Sequence, residues 1–264
     1  MSDRDALPPV QSDEITPPGI ERLMAIMARL RDPVAGCEWD TAQTFETVAP
    51  YTIEEAYEVV DAIARTDMAD LKDELGDLLL QVIFHSRIAE ESGHFALADV
   101  IDGICDKMER RHPHIFRGEQ DGGHHLWEQI KAAERGSKGE SGALDGVAIG
   151  LPALTRAEKL QKRAARTGFD WPDPSGARAK IDEELAEVEA ASGAEQLEEM
   201  GDLLFAVVNW SRKLGIDPEA ALRAANAKFE RRFRAMEALD GEPFATLDLD
   251  AQEARWQQVK RSGG

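Results

Sequence analysis

Apolar residues recur roughly every three or four positions along most of the chain after residue 19, which is the period of an α-helix. These runs are rich in Ala, Leu, Glu, Arg and Lys, which favour helices, whereas the alternating patterns typical of strands are scarce. The pattern therefore predicts an all-α fold. The predicted helices cover residues 20–31, 52–65, 69–91, 97–111, 178–191, 195–214 and 217–239.

Two stretches interrupt this pattern. The first 19 residues contain four prolines and little periodic apolar content, so we expect a mobile extension (1–19) and the first helix near Ile20. Residues 117–150 contain eight glycines, which predicts a loop or linker broken by one short helix around 126–135.

Several segments of the chain occur twice in the same order, at an offset of about 121 to 129 residues. IEEAYEVVDAI (53–63) recurs as DEELAEVEAAS (182–192), and DELGDLLL (73–80) recurs as EEMGDLLF (198–205). KMERR (107–111) matches KFERR (228–232), and LWEQIK (126–131) matches RWQQVK (255–260). The repeat predicts one helical domain present twice, at 20–135 and 151–264, with a linker at 136–150.

The composition restricts the partners that the chain can have. Its 264 residues carry 31 Lys and Arg against 51 Asp and Glu, a net charge of -20. A polyanion repels duplex DNA and anionic lipid, so we expect no nucleic acid and no membrane as partner. No run approaches the roughly 18 apolar residues of a membrane span, the N-terminus lacks an export signal, and two cysteines are too few for a disulfide framework. These features predict a cytoplasmic location.

Both copies keep five acidic residues at matching positions. They are Glu54, Glu55, Glu58, Glu74 and Asp77 in the first copy, and Glu183, Glu184, Glu187, Glu199 and Asp202 in the second. Residues three or four apart share a helix face, so an antiparallel hairpin turning near residues 192–193 would bring the acids of two helices together. The apolar stripe of the first of these helices is expected at Ile181, Leu185 and Val188. Glu184 would then lie at the edge of the buried face.

A cation site is one interpretation of these acids, and a solvated helix face is the other. Two features favour the cation: the acids recur in diverged copies, and Gly76 or Gly201 directly precedes each aspartate. A glycine inside a helix costs about 1 kcal/mol relative to alanine, which suggests close approach of another helix or a ligand. Clustered carboxylates would repel one another without a cation between them. Mg²⁺ is the expected cofactor because it prefers oxygen ligands and binds phosphates, and Mn²⁺ could substitute.

EELAE followed by EMGD in the second copy resembles the signature of the all-α nucleoside triphosphate pyrophosphohydrolases, and the resemblance is closest to the MazG family. Other segments are similar to MazG segments along nearly the whole chain from Ile20. They are RLRDPVAGCEWD, APYTIEEAYEVVDAI, ELGDLLLQV, ERRHPHIF, LPALTRAEKLQKRAARTGFDW, MGDLLFAVVN, NAKFERRF and RWQQVK. The resemblance implies tandem four-helix-type MazG-like domains, a homodimeric helical bundle, and Mg²⁺-dependent hydrolysis of nucleoside triphosphates to monophosphate and pyrophosphate.

Carried over residue by residue, the resemblance implies metal ligands and nucleotide contacts. The metal ligands are Glu184, Glu187, Glu199 and Asp202 in the second copy, and Glu55, Glu58, Glu74 and Asp77 in the first. The nucleotide contacts are Lys180, Lys228, Arg231, Arg232, Trp256 and Lys260. The cations would meet the phosphates, and Trp256 offers a face for base stacking. Ordinary surface cations and a tryptophan of the core or a dimer interface are the alternatives.

The expected reaction is water attack at the α-phosphorus. Glu183, Glu184 and Glu187 are the predicted catalytic residues, with Glu183 or another carboxylate near the ions accepting the proton. No motif for reading a base edge is visible, and the predicted substrates are ribo- and deoxyribonucleotides with a broad range of bases. Tyr51 stands where the second copy has Lys180, which predicts that the second copy performs most of the hydrolysis. The alternative function is a nucleotide-responsive helical binding or regulatory module with little turnover.

Overall fold

The structure, a computed structural model, describes residues 19–116, 142–239 and 243–262. These residues form helices and no β-strand, which confirms the predicted all-α fold. All seven predicted helices are present, and the first begins at Ile20 as expected. The predicted N-terminal extension and the predicted short helix at 126–135 lie outside the described residues.

The chain divides into two compact units, Met1–Ile130 and Lys131–Gly264. We call them the first and second unit. Each contains one copy of the repeated acidic segments. The predicted end of the first domain at residue 135 and the first part of the predicted linker, 136–141, lie outside the described residues, and the exact domain limits stay a prediction.

The first unit is built around a long antiparallel pair of helices, α3 and α4, against which α1 and α5 pack. Its core consists of Met27, Val48, Ile83, Phe84, Ile88 and Leu97. Its helices are α1 (Ile20–Leu30), α2 (Glu38–Ala42), α3 (Phe45–Arg65), α4 (Met68–Glu91), α5 (Leu97–Arg111) and α6 (Pro113–Phe116).

The second unit repeats the helical pair as α8 and α9, with α7 packed on α9 and α11 on α10. Its buried apolar residues are mostly small, such as Ala177, Val188, Ala206 and Val208. Its elements are α7 (Ala153–Ala165), α8 (Pro174–Ala190), α9 (Ala194–Lys213), α10 (Pro218–Glu237), a 3₁₀ turn (Phe244–Thr246) and α11 (Leu249–Arg261).

The pattern placed the starts of α3 and α8 too late in the chain and did not predict α2, α6, α7 and α11. Helix α3 begins at Phe45 rather than at residue 52, because Thr44 forms a capping box in which its hydroxyl accepts from the Thr47 amide and its amide donates to the Thr47 hydroxyl. Pro50 lies inside this helix, where it removes one backbone donor. Helices α2 and α6 are too short to show a period, and in α7 only Leu154 and Leu160 are large apolar residues.

None of the described helices combines the length and the apolar character that crossing a bilayer requires.

Candidate functional site

The α8–α9 hairpin of the second unit brings together acids that are distant in sequence. Helix α8 begins at Pro174 behind the side chain of Asp173, which accepts a hydrogen bond from the Ser175 amide at 2.7 Å. It ends at Ala190, and Gly193 precedes α9 with φ at 63°. A positive φ suits glycine, so the sequence permits the turn at the predicted place.

Glu184 is more deeply buried than the apolar pattern indicated. The buried residues of α8 are Ala177, Glu184 and Val188, whereas Leu185 is 46% exposed. The predicted stripe is therefore wrong at Leu185. Glu184 itself is only 4% exposed, so its carboxylate is held on the inner side of the hairpin.

Three of the four predicted metal ligands of the second unit meet at one point. One carboxylate oxygen from each of Glu184, Glu199 and Asp202 lies within 4.8 Å of the others. We call these three residues the second acid cluster. Glu187 is not among the described acids that meet this distance, but its side chain lies within hydrogen-bonding reach of Glu184 and therefore beside the cluster.

The electrostatics of the second acid cluster favour a bound cation. Desolvation by burial, followed by the charge of Glu184, raises the pKa of Glu187. Desolvation, followed by the charges of Glu187 and Asp202, raises the pKa of Glu199. Carboxylates that share a confined space disfavour one another's ionisation, and a divalent cation would remove that penalty. The donor set consists of hard oxygen atoms, which fits Mg²⁺.

Lys180 lies next to these acids, one helical turn before Glu184. Its ammonium donates to Glu183 at 2.8 Å and contacts Glu184 at 2.5 Å. These hydrogen bonds raise the pKa of Lys180, so it stays charged. The side chain of Glu183 is 57% exposed, so this carboxylate faces water while it holds Lys180.

The first unit carries a matching group of acids on α3 and α4. One oxygen from each of Glu55, Glu58 and Glu74 lies within 4.8 Å of the others, and we call these residues the first acid cluster. Desolvation, followed by the charge of Asp77, raises the pKa of Glu55, whose carboxylate also accepts from Gln81 at 3.4 Å. Two of its positions, Glu55 and Glu74, correspond to Glu184 and Glu199 of the second acid cluster, whereas the third position is Glu58 here and Asp202 there, and the predicted ligand Asp77 is not among the three.

Among the described residues, no other helix packs closely against the glycine that precedes each aspartate. A Cβ built at Gly76 or at Gly201 would meet no atom within 4 Å among the described residues. The interpretation as a close helix contact is therefore wrong for the part of the chain that the structure covers. Approach by a ligand is the alternative that stays open.

Replacing Gly201 with alanine should raise the free energy of unfolding by up to about 1 kcal/mol, because alanine favours a helix interior. Gly76→Ala is the matched control in the first unit. Chemical denaturation measures the stability, and pyrophosphate release measures activity. If phosphates approach this backbone, Gly201→Ala alone lowers kcat/KM. A loss of stability in both variants would contradict the open space at these positions.

A cavity of about 740 Å³ adjoins the second acid cluster. Lys180, Glu184 and Asp202 line it, and Phe169, Trp171 and Phe205 supply aromatic surface. Gln161, Asn209 and Arg212 add polar groups. A volume of this size, with apolar walls and a few fixed polar groups, suits a small organic ligand.

The corresponding positions of the first unit are filled by aromatic packing. The repeat aligns Tyr51 with Lys180, Phe84 with Asn209, and Trp39 of GCEWD with Trp171 of GFDWPD. The Trp39 ring makes edge contacts with Tyr51 at 6.1 Å and with Phe84 at 6.5 Å between centroids. The first unit therefore has two aromatic residues, Tyr51 and Phe84, where the second unit has the cation Lys180 and the amide Asn209.

The other predicted nucleotide contacts lie on α10 and α11. The Arg232 guanidinium lies 5.7 Å from the centroid of the Trp256 ring, and the Phe229 ring lies 5.7 Å from the same ring. None of the described residues of α10 or α11 is among those lining the cavity. The predicted roles of Lys228, Arg231, Arg232, Trp256 and Lys260 thus stay predictions.

The sequence patterns do not reveal the cavity residues outside the acidic helices. The segments LPALTRAEKLQKRAARTGFDW and MGDLLFAVVN contain them, and both resembled family segments. Gln161, Phe169 and Trp171 carried no recognisable spacing relative to the acids. Only the packing of α7 on α9 brings Gln161 to the same cavity as Asn209.

Comparisons with known proteins agree with this geometry. Residues 43–116, which include α3 and α4, match the family described as MazG nucleotide pyrophosphohydrolase domain. Residues 149–229, which include α8 and α9, match the family described as phosphoribosyl-ATP pyrophosphohydrolase. Each hairpin that carries acids therefore lies within a matched pyrophosphohydrolase segment.

Full-length relatives give the same result. A protein of Escherichia coli strain K12 named nucleoside triphosphate pyrophosphohydrolase is 52% identical, over 92% of this chain and 97% of the relative. A Thermotoga maritima protein named nucleoside triphosphate pyrophosphohydrolase/pyrophosphatase MazG is 46% identical, over 91% of this chain and 95% of the relative. The resemblance drawn from the motifs is confirmed, and the chain belongs to the MazG family of nucleoside triphosphate pyrophosphohydrolases.

Proposed function

We propose that this protein is an Mg²⁺-dependent enzyme that hydrolyses nucleoside triphosphates to monophosphate and pyrophosphate. The observation that carries the proposal is the second acid cluster beside a cavity, with Lys180 at their junction. The names of the full-length relatives support the reaction class. The second unit is the expected site of most turnover, because the first unit has Tyr51 and Phe84 where the second has Lys180 and Asn209.

The metal would be held by Glu184, Glu199 and Asp202, with Glu187 completing the site. When bound, Mg²⁺ would polarise the α-phosphate, lower the pKa of the attacking water and offset charge on the pyrophosphate. A triphosphate brings about four negative charges, so cations must meet the oxygens that the metal leaves uncompensated. Lys180 is the nearest such cation to the cluster, and Lys228, Arg231, Arg232 and Lys260 are the further candidates.

In the proposed reaction, a water oxygen attacks the α-phosphorus and the bond from that phosphorus to the α,β-bridging oxygen breaks. The bridging oxygen leaves with pyrophosphate, and the proton of the water passes to a carboxylate. Glu183 suits this role because its side chain is exposed while Lys180 fixes its position at 2.8 Å. Lys180 would then donate to a phosphate oxygen in place of Glu184.

A broad range of ribo- and deoxyribonucleotides is the proposed substrate class. The cavity has space for a base and sugar, and its aromatic walls contact any base through its ring face. Trp256 is the alternative stacking surface, although its ring already contacts Phe229.

We also propose a homodimer. Large apolar side chains are exposed on helices of the second unit, including Leu197 at 79%, Leu204 at 53% and Phe229 at 57%. Exposed apolar surface of this kind favours association, and a second copy is the commonest partner. Light scattering at several concentrations measures the oligomeric state, and a monomer at all of them would contradict the proposal.

Product identification tests the reaction. Purified protein is incubated with a nucleoside triphosphate and Mg²⁺, and the products are separated by chromatography. Equal amounts of monophosphate and pyrophosphate are the expected result. Diphosphate with inorganic phosphate would instead show attack at the γ-phosphorus and overturn the proposal. Tight nucleotide binding without product would favour the regulatory module.

Removal of divalent metal by EDTA should abolish pyrophosphate release, and added Mg²⁺ should restore it. Because only the folded protein presents the acid clusters, Mg²⁺ should also raise the melting temperature. Glu199→Gln removes one charge from the second acid cluster and should reduce that rise. Pyrophosphate release that persists in EDTA would contradict the metal site.

A further inference from the structure

We propose that Gln161 and Asn209 bind the hydrogen-bonding edge of a nucleobase in the cavity, and so distinguish the natural bases from rings that lack the hydrogen-bond donor. Gln161 would supply an acceptor and Asn209 a donor. The inference rests on the proposed function, since it assigns the cavity beside the second acid cluster to the base of the triphosphate. It predicts that the enzyme binds bases that have a hydrogen-bond donor next to an acceptor.

Gln161 lines the cavity and carries an acceptor that no described residue uses. The residue is 6% exposed, and its amide nitrogen donates to the Phe205 carbonyl oxygen at 2.8 Å. That bond fixes the orientation of the amide, because the oxygen atom cannot face another carbonyl oxygen. The Gln161 Oε1 atom is buried and has no hydrogen-bond partner among the described residues. Buried polar atoms rarely stay without a partner, so this oxygen is suited to accept from a ligand.

Asn209 presents the complementary donor. Its Oδ1 atom accepts from Arg212 Nε at 3.0 Å and from Nη2 at 2.6 Å. These two hydrogen bonds fix the orientation of the amide, with its oxygen facing Arg212. The same guanidinium is held by Asp170, which accepts from Nη2 at 2.6 Å and from Nη1 at 3.1 Å. Arg212 also lowers the pKa of Asp170, so the carboxylate stays ionised. Because Arg212 fixes Oδ1, the Asn209 amide nitrogen is turned away from it and can donate to a ligand.

The surroundings of these two amides fit a planar heterocycle. Phe169, Trp171 and Phe205 line the same cavity and provide apolar faces for a ring. Lys180, Glu184 and Asp202 line the same cavity, so the phosphates of a nucleotide bound there would lie near the proposed metal. A base in this place would therefore be joined to a triphosphate at the reacting centre.

One acceptor and one donor select a class of bases and not a single base. In adenine the donor is the 6-amino group and the acceptor is N1, and in cytosine they are the 4-amino group and N3. In guanine the donor is N1–H and the acceptor is O6, and in uracil or thymine they are N3–H and O4. Every natural base thus offers a donor next to an acceptor. The pair would accept all of them and reject rings in which the donor is missing or alkylated.

The test measures binding by calorimetry with Mg²⁺ and α,β-methylene triphosphates, which cannot release pyrophosphate. The probes are the adenosine analogue and its purine riboside counterpart, which lacks the 6-amino group. A site built around a hydrogen bond rejects the analogue that lacks it, so wild type should prefer the adenosine compound by about 100-fold. Gln161→Met should reduce this ratio to near one.

Two further measurements separate base reading from a structural role. Inorganic tripolyphosphate has no base, so its Kd should be the same for wild type and Gln161→Met. Asn209→Leu removes the donor without adding a charge, and Arg212 stays paired with Asp170, so the change should weaken binding of all natural bases by about 10-fold or more without changing the Kd of tripolyphosphate. This variant keeps the test valid if Gln161→Met unfolds.

Equal binding of the two probes by wild type, or an unchanged ratio in Gln161→Met, would overturn the inference. The inference would also be overturned if Trp256→Ala lost the preference for the adenosine compound while Gln161→Met kept it. That result would place the base on Trp256. If wild type prefers the adenosine compound but releases no pyrophosphate from ATP, the inference about the base holds and the proposed function is overturned.

Discussion

Replacing Glu184 with glutamine is expected to lower pyrophosphate release by about 1000-fold or more, since a metal site that loses a charged ligand loses both affinity and activation of water. Glu184 is 4% exposed and is one of the three residues of the second acid cluster. Glutamine has nearly the same shape, so the change tests charge and ligation more than packing. Turnover is measured at saturating and limiting nucleotide with excess Mg²⁺.

Glu55→Gln is the matched control, because Glu55 occupies the same position in the first acid cluster. We expect it to lower turnover by less than about twofold, an effect within the range of a residue outside the reacting centre. Equal losses in the two variants would contradict the assignment of most turnover to the second unit. Melting temperatures of both variants show whether either change acts through folding.

The sequence predicted the acidic hairpin because the hairpin depends on short spacings along the chain, and because the same spacings occur in both copies. Spacings of three and four residues place Glu184 and Glu187 on one side of α8, and the short connection through Gly193 forces α9 to return alongside. Duplication reinforced the prediction, since the same acids recur on α3 and α4. These are properties of single helices and short turns, which a sequence displays directly.

The cavity depends on contacts between distant segments, which the sequence did not display. Gln161 reaches it from α7, and Asn209 reaches it from α9. The apolar pattern also failed at Leu185, because the inner face of α8 is lined by Ala177 and by the buried Glu184. A charged residue occupies part of the buried face here, so hydrophobic periodicity gives the wrong orientation.

Converting the second unit to the pattern of the first tests why duplicated acids would give unequal activities. The double variant Lys180→Tyr and Asn209→Phe introduces the residues that the first unit has at Tyr51 and Phe84. The new rings would fill the cavity beside Trp171, as Trp39 packs against Tyr51 and Phe84. We expect kcat/KM to fall by about 100-fold or more, because both a phosphate cation and space for the base are lost.

The rise in melting temperature with Mg²⁺ should persist in this double variant, since Glu184, Glu199 and Asp202 are unchanged. That combination would separate metal binding from nucleotide binding, because the acids hold the cation while Lys180 and the cavity position the substrate. Lys180→Arg is the control, as it keeps the charge and should retain far more activity than Lys180→Tyr. Full activity in the double variant would show that the cavity is not the nucleotide site, and the difference between the two copies would then have to lie elsewhere.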